Sequence, residues 1–250
     1  MKITIRMYAM IFLCIAFAAN ALAQTDPVKL LSRMSKNYQQ TEYLSFDIQI
    51  TCAPESKPVQ HLDSMRGKIK MNGVRYWYQM DNMESVFTGD FFLAMYKENQ
   101  LIFLKKGGSQ SLPLEAGLND AWVKVIDSLR KNNLIEISVK ENKDEEMMTI
   151  VFPKEQPYKA ITYSISKKTS LLSKAVVILK ASTMQGPEPD AENKIEEDYA
   201  VIETRFLNYS REKFSTSLFE LATYVVKQEG EYAGAGMYKD YKVYPGSEGL

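Results

Sequence analysis

The sequence predicts a mainly β, α+β fold: a curved antiparallel sheet forming a half-open β-barrel, with lid helices lying across it. Three observations lead there. Segments alternating between apolar and polar residues recur along the chain, joined mostly by short, turn-like connections. Short connections force antiparallel neighbours, and about ten to twelve strands in one meander curl once each of them twists. Only two segments carry helical periodicity, and amphipathic helices beside such a sheet bury their apolar faces on its concave side.

The chain opens with Lys2 and Arg6 before an apolar run from Met7 to Ala19, followed by Ala21-Leu22-Ala23. A charged start, an apolar stretch and small residues at the exit make a secretory signal peptide over residues 1–23, cleaved before Gln24. The run is shorter than the roughly 20 residues that span a bilayer. Cys14 lies inside it, without the small residues that precede a lipoprotein cysteine. Removing Lys2 and Arg6 from 31 basic and 31 acidic residues leaves 29 against 31, a formal charge of −2. The expected product is an exported, soluble protein with Cys52 as its only thiol, packed as a small hydrophobe.

Asp26-Pro27 then reads as an N-cap followed by proline at the first helical position, where its missing N–H costs nothing. Leu30, Leu31, Met34 and Tyr38 follow at helical spacing. The cleanest strand is next: Leu44, Phe46, Ile48, Ile50 and Cys52 alternate with Ser45, Asp47, Gln49 and Thr51. A loop from Ala53 to Asp63 leads to a hairpin, Gly67–Met71 and Val74–Met80, turning at Asn72-Gly73. Glu84–Thr88, Phe91–Tyr96 and Leu101–Leu104 continue the set. Leu118, Trp122, Val125, Ile126 and Leu129 mark a second helix, ending in basic residues suited to a helix C-terminus. Strands at Leu134–Val139, Met147–Phe152, Ala160–Ser166 and Leu171–Leu179 follow, the last two joined by Lys167-Lys168-Thr169. Gln185–Glu197 reads as a solvated loop, Tyr199–Leu207 as a strand, and the Tyr/Gly-rich residues 221–250 as a late hairpin added to the sheet.

Composition excludes more than it selects. Zero formal charge gives no overall electrostatic footprint for nucleic acid. With a single histidine and two cysteines, histidine-dependent catalysis, thiolate zinc clusters and a disulfide framework find almost no residues. His61 sits in a polar loop and reads as a solvent-exposed side chain. The acidic runs Asp144-Glu145-Glu146 and Glu196-Glu197-Asp198 read as solvated caps rather than metal ligands, so no catalytic residue, metal or cofactor is expected. Fifteen Tyr, eleven Phe and thirteen Met are more suggestive, because Val74–Met80 and Phe91–Tyr96 carry large side chains on both strand faces. A strand apolar on both faces has both covered. On the concave side the cover is either a helix or an apolar ligand in a cavity, and adaptable methionines favour the cavity.

The order of these segments resembles the LolA-type periplasmic lipoprotein carriers. The likeness begins at Pro27–Tyr38 leading into Tyr43–Cys52. It continues through Gly67-Lys68-Ile69-Lys70, Arg75-Tyr76-Trp77, Thr88-Gly89-Asp90 and Phe92–Tyr96. It is clearest at Ile161–Ser166, Lys167-Lys168-Thr169, Leu171–Leu179 and Thr204–Tyr209 leading to Leu218-Phe219. It covers most of residues 26–220, within a half-barrel domain placed at 24–220, and leaves the C-terminal extension unmatched. The resemblance implies a half-open barrel whose helices lid a hydrophobic cavity for lipoprotein acyl chains. It also implies a strand arginine that holds the lid closed, for which Arg66 and Arg75 are the candidates.

The expectation is therefore a monomeric carrier for an acylated lipoprotein or lipid-like ligand, without catalysis and without nucleic acid. At about 0.8 kcal/mol per methylene removed from water, a fourteen-carbon chain supplies on the order of 10 kcal/mol before ordering costs. Phe46, Ile48, Trp77, Phe92 and Phe103 are the expected cavity wall. A one-residue error in strand phase swaps faces. The rival reading keeps the half-barrel, fills it with side chains and uses tail and edge strands to bind an envelope protein by strand addition. An exported hydrolase built on His61 is the third.

Overall fold

The computed structural model describes residues 25–107, 120–184 and 198–246. The signal peptide expected at 1–23 and the loop expected at Gln185–Glu197 lie outside the described residues.

Helix α1 (Pro27–Gln40) starts as the sequence dictates: the Asp26 carboxylate accepts from the Val28 amide at 2.9 Å, and Pro27 stands in the first turn. Its buried stripe is Leu30, Leu31, Met34, Ser35 and Tyr38. Strands β1 (Leu44–Pro54), β2 (Asp63–Asn72), β3 (Arg75–Met80), β4 (Met83–Phe87), β5 (Phe91–Tyr96) and β6 (Leu101–Lys106) follow. Gly73, at φ 61°, makes the β2–β3 turn in the left-handed region that glycine adopts without cost. Helix α2 (Asp120–Lys131) precedes β7 (Glu136–Glu141), β8 (Glu145–Val151), β9 (Tyr158–Ser166), β10 (Leu172–Lys180) and β11 (Tyr199–Ser210). In α2 the core-facing residues are Val123, Ile126 and Leu129, while Val125 is exposed.

These strands and β14 (Lys242–Pro245) form one twelve-stranded sheet in the order β14-β6-β5-β4-β3-β2-β1-β11-β10-β9-β8-β7. It is two meanders rather than one. β1 to β6 step outward in one direction, β7 to β11 step inward from the far edge, and the two meet at β1–β11. The connection from β6 to β7 contains α2, so it is long enough to cross between the sheet's ends instead of forcing a hairpin. The sheet is curved and not closed, a half-open barrel with the two helices as its lid.

Cross-strand partners share a face, so the register sorts the side chains. Leu44, Met71, Tyr76, Phe87 and Phe92 form one row on the concave face. Phe46, Ile69, Tyr78, Ser85, Ala94 and Phe103 form the next. The apolar members of these rows join Leu30, Leu31, Met34, Tyr38, Val123 and Ile126 of the helices in a single core. The alternate residues of β4 to β6, Val86, Leu93, Met95, Ile102 and Leu104, form a second core on the convex face.

The tail covers that second core. β12 (Val225–Gln228) and β13 (Glu231–Gly234) pair only with each other, as a separate two-stranded sheet. The segment that joins the large sheet is β14, a single strand parallel to β6. This differs from the expected hairpin on the sheet: the Gly- and Tyr-rich stretch folds back on itself and lies flat over the convex face. Tyr224, Val225 and Tyr238 are buried there. Glu84, also buried, is the polar anchor beneath them. It accepts from Trp77 Nε1 at 2.6 Å and from the Tyr238 hydroxyl at 2.9 Å, with Lys97 Nζ at 3.5 Å. Burial, and next the Glu84 carboxylate, push the Tyr224 and Tyr238 hydroxyls well above the usual tyrosine range.

Candidate functional site

The two ends of the trough are built differently. α1 is fixed at one end, near the start of β8, the β9–β10 turn and the end of β11. Arg33 pairs with Glu146, and the Asn37 amide donates to the Thr169 carbonyl. The Tyr38 hydroxyl lies 2.5 Å from that of Tyr209 and accepts from the Leu172 amide at 3.3 Å. Burial pushes both tyrosine hydroxyls far up; the backbone bond from Leu172 works against it at Tyr38, and the neighbouring Tyr38 adds to it at Tyr209. Arg130 of α2 reaches the Asp26 carboxylate at 3.8 Å and ties the helices together.

Tyr209 reaches this position because β11 is bulged. The β1–β11 register shifts between Ser45 and Asp47, and Asn208 adopts φ 55°. Asparagine tolerates that conformation better than most residues, and here its side chain also donates to Asp47 Oδ2 at 2.8 Å. Strict alternation from Phe206 would aim Tyr209 at the convex face. The extra residue re-aims it into the core beside Phe46, 4.9 Å between ring centroids.

At the opposite end no helix among the described residues crosses the concave face, and its side chains there are partly exposed. One row of register partners there reads Ile48, Gly67, Met80, Met83, Tyr96 and Leu101. Ile48 is buried, Met80, Met83 and Leu101 are half-buried, and Tyr96 is exposed. Met65, the partner of Ile50, is half-buried beside them. Met65, Met80, Met83 and Tyr96 line a groove of about 250 Å³, rimmed by Asp81-Asn82 and by Lys97-Glu98-Asn99. Gly67 is required for this packing, because a Cβ there would lie 2.6 Å from the Gln79 carbonyl oxygen and 3.2 Å from Ile48 Cγ1. The groove is slightly below the range of about 300–1,000 Å³ common for small-molecule sites. Its walls are unbranched thioethers, which change shape at little cost.

The structure brings together four of the five residues expected to line the wall. Phe46, Ile48 and Phe92 are buried in the concave-face core, and Phe103 is half-buried against it. Trp77 is on the other face. It pairs with Val86 and lies under the tail, bonded to Glu84. Val74–Met80 is apolar on both faces, so the choice of Trp77 over Tyr76 or Tyr78 turned on a phase that the tail, not the helices, decides.

Neither Arg66 nor Arg75 faces the lid. Arg75 bonds Asn72 and stacks over Phe219 at 5.2 Å on the convex side, and Arg66 is exposed beside Asp47 and Lys68. The helices are held instead by Tyr38, Arg33 and Arg130. Sequence reasoning placed Tyr38 on the helix but missed the part it plays in holding it, as it missed Arg33, Arg130, Met65, Met80 and Met83 as site residues; for the methionines the signal available was their clustering at the strand ends nearest the β3–β4 turn.

His61 is exposed in the β1–β2 loop. Cys52 is half-buried, and burial followed by the Asp63 carboxylate pushes its thiol up. Among the described residues no group of three or more His, Cys, Asp or Glu is placed to hold a metal ion. Among them, too, no helix is long and apolar enough to cross a membrane.

No protein-family model and no curated protein matches the chain. Solved structures similar to it include an uncharacterized conserved protein from Thermus thermophilus, at 9% identity and TM-score 0.46, over 87% of this chain and 97% of that one. A LolA superfamily protein from Nitrosomonas europaea matches at 8% identity and TM-score 0.36, over 77% and 96%. The Mycobacterium tuberculosis lipoprotein LppX matches at 11% identity and TM-score 0.35, over 76% and 99%. All three scores fall below 0.5, and the fold assignment stands on the sheet and helices themselves.

Proposed function

We propose that this chain is a non-enzymatic periplasmic carrier that shelters the acyl chain of a lipoprotein or lipid, admitted at the methionine-lined end of the trough. One observation carries the reading. The row Met80, Met83, Tyr96 and Leu101 is half-buried to exposed, yet it continues without a polar break into buried Ile48 and half-buried Phe103. An acyl chain laid along it covers apolar surface already half withdrawn from water, and each methylene buried contributes about 0.8 kcal/mol. No covalent chemistry is needed. Export rests on the charged and apolar pattern of residues 1–23.

Titration of the protein with a dansylated fatty acid tests this. Saturable binding is expected, weakened at least tenfold by Met80→Glu combined with Met83→Glu. No saturable binding, or binding unchanged in the double variant, would contradict it.

A second reading, an envelope interaction module, draws on the helix end, where Leu30, Leu31, Met34 and Tyr38 already occupy the concave side. Its contact surface would be β7, whose outer side has no partner in the sheet order. A protein that ignores acyl probes but recruits an extended peptide along Glu136–Glu141 would favour it.

A further inference from the structure

The exposed side of α1 carries a feature the acyl-binding reading does not use. Lys29, Arg33 and Lys36 recur at helical spacing on the face opposite the buried stripe. Across from them the β9–β10 turn presents Lys168. Between helix and turn lies a groove of about 700 Å³, inside the size range of small-molecule sites.

Its lining contains four cations and no carboxylate. Arg33 is engaged by Glu146, whereas Lys29, Lys36 and Lys168 have no ion pair among the described residues. The carboxylate of neighbouring Glu141 is taken by Lys167 and Thr25. The rest of the lining is rich in hydrogen-bond donors: the hydroxyls of Ser32, Thr169 and Ser170 and the amides of Asn37 and Gln40. The turn is fixed against the helix by the bond from the Asn37 amide to the Thr169 carbonyl, so both walls are held in place. Converging cations with hydroxyl and amide donors suit a phosphate, whose oxygens accept several charge-assisted hydrogen bonds at once. The near-neutral net charge of the chain conceals this patch.

We infer that the groove between α1 and the Lys167–Ser170 turn binds a phosphate-bearing group, the chemistry shared by phospholipid headgroups and free phosphate compounds. It lies on the outside of the lid helix, at the end of the trough away from the methionine-lined groove, and is independent of acyl binding.

Two arms of one experiment separate the sources. Inorganic phosphate is titrated while the backbone amide signals of α1 and the β9–β10 turn are followed by NMR. In parallel, the protein is cosedimented with phosphatidylglycerol-containing vesicles and with pure phosphatidylcholine vesicles. Both are repeated with Lys36→Glu plus Lys168→Glu and with Lys36→Arg plus Lys168→Arg; both side chains are exposed, so the fold is retained. The expected results are phosphate shifts confined to these segments and salt-sensitive binding to the anionic vesicles. The Glu variant is expected to lose at least tenfold in both arms, and the Arg variant to keep the affinity. Phosphate shifts without vesicle binding assign the site to a soluble phosphate compound and still support it. Absence of both, or equal affinity in the Glu variant, overturns it. Dansyl fatty acid binding is expected to be unchanged in the Glu variant, so failure here and failure of the acyl reading are distinguishable.

Discussion

At the two ends of the trough the same strand face meets different surroundings. Near the lid, Phe46, Ile69 and Tyr76 share one core with Leu30, Leu31 and Met34, none more than 1% exposed. Toward the β3–β4 and β5–β6 turns, the same face presents Met80, Met83 and Leu101 half-buried and Tyr96 at 44% exposure. Side-chain alternation is continuous from one end to the other. What changes, among the described residues, is whether a helix covers it. An apolar strand face therefore does not reveal whether it is core or site; the reach of the covering element decides.

Mutations break that comparison in order of size. Leu31→Ala leaves a cavity in the filled end and is expected to cost about 3 kcal/mol in urea unfolding. Tyr38→Phe strands the Tyr209 hydroxyl and the Leu172 amide, at about 1.5 kcal/mol, and combining it with Tyr209→Phe should cost less than the sum of the two. Met83→Ala, at the open end, is expected to cost under about 1 kcal/mol, because little buried volume is lost. A Met83→Ala cost equal to that of Leu31→Ala would mean both ends are packed core.

Alkaline pH sharpens the same contrast. Tyr38 and Tyr209 are raised in the folded chain, so their contribution is complete below the unfolded tyrosine value of about 10 and declines as pH climbs beyond it. The unfolded chain gives up those protons first. The expected slope is about 1.4 kcal/mol per pH unit for each tyrosine, and Tyr209→Phe should flatten it by one such increment. Stability measured from pH 8 to 11 checks the sign; a rise above pH 10 would contradict it.

On the convex face, Tyr238→Phe removes one bond to Glu84 and is expected to cost about 1 kcal/mol, read as faster proteolytic loss of the tail.

Much of the fold was legible because it is local. The alternation from Leu44 to Cys52, the Asn72-Gly73 turn and the Asp26-Pro27 cap each name their own structure within a few residues. What was not legible is long-range. Trp77 and Tyr76 are equally suited to a buried strand, and only the tail, some 150 residues later in the chain, assigns Trp77 to the convex face. Tyr209 looks convex by alternation until the Asn208 bulge turns it inward. Lid residues Arg33 and Tyr38 were visible as helix positions, but their partners Glu146 and Leu172 belong to the other meander. The site methionines have no periodic spacing, since three different strands supply them, and only their clustering at the strand ends near the β3–β4 turn marks them.

The most direct test labels the methionine ε-methyl groups with ¹³C and follows their NMR signals as a long-chain fatty acid is added. The account predicts shifts at Met65, Met80 and Met83, with Met34 in the lid core and Met95 beneath the tail unmoved. Shifts at none of these methyls, or equal shifts at Met34 and Met95, would contradict a ligand port at the open end.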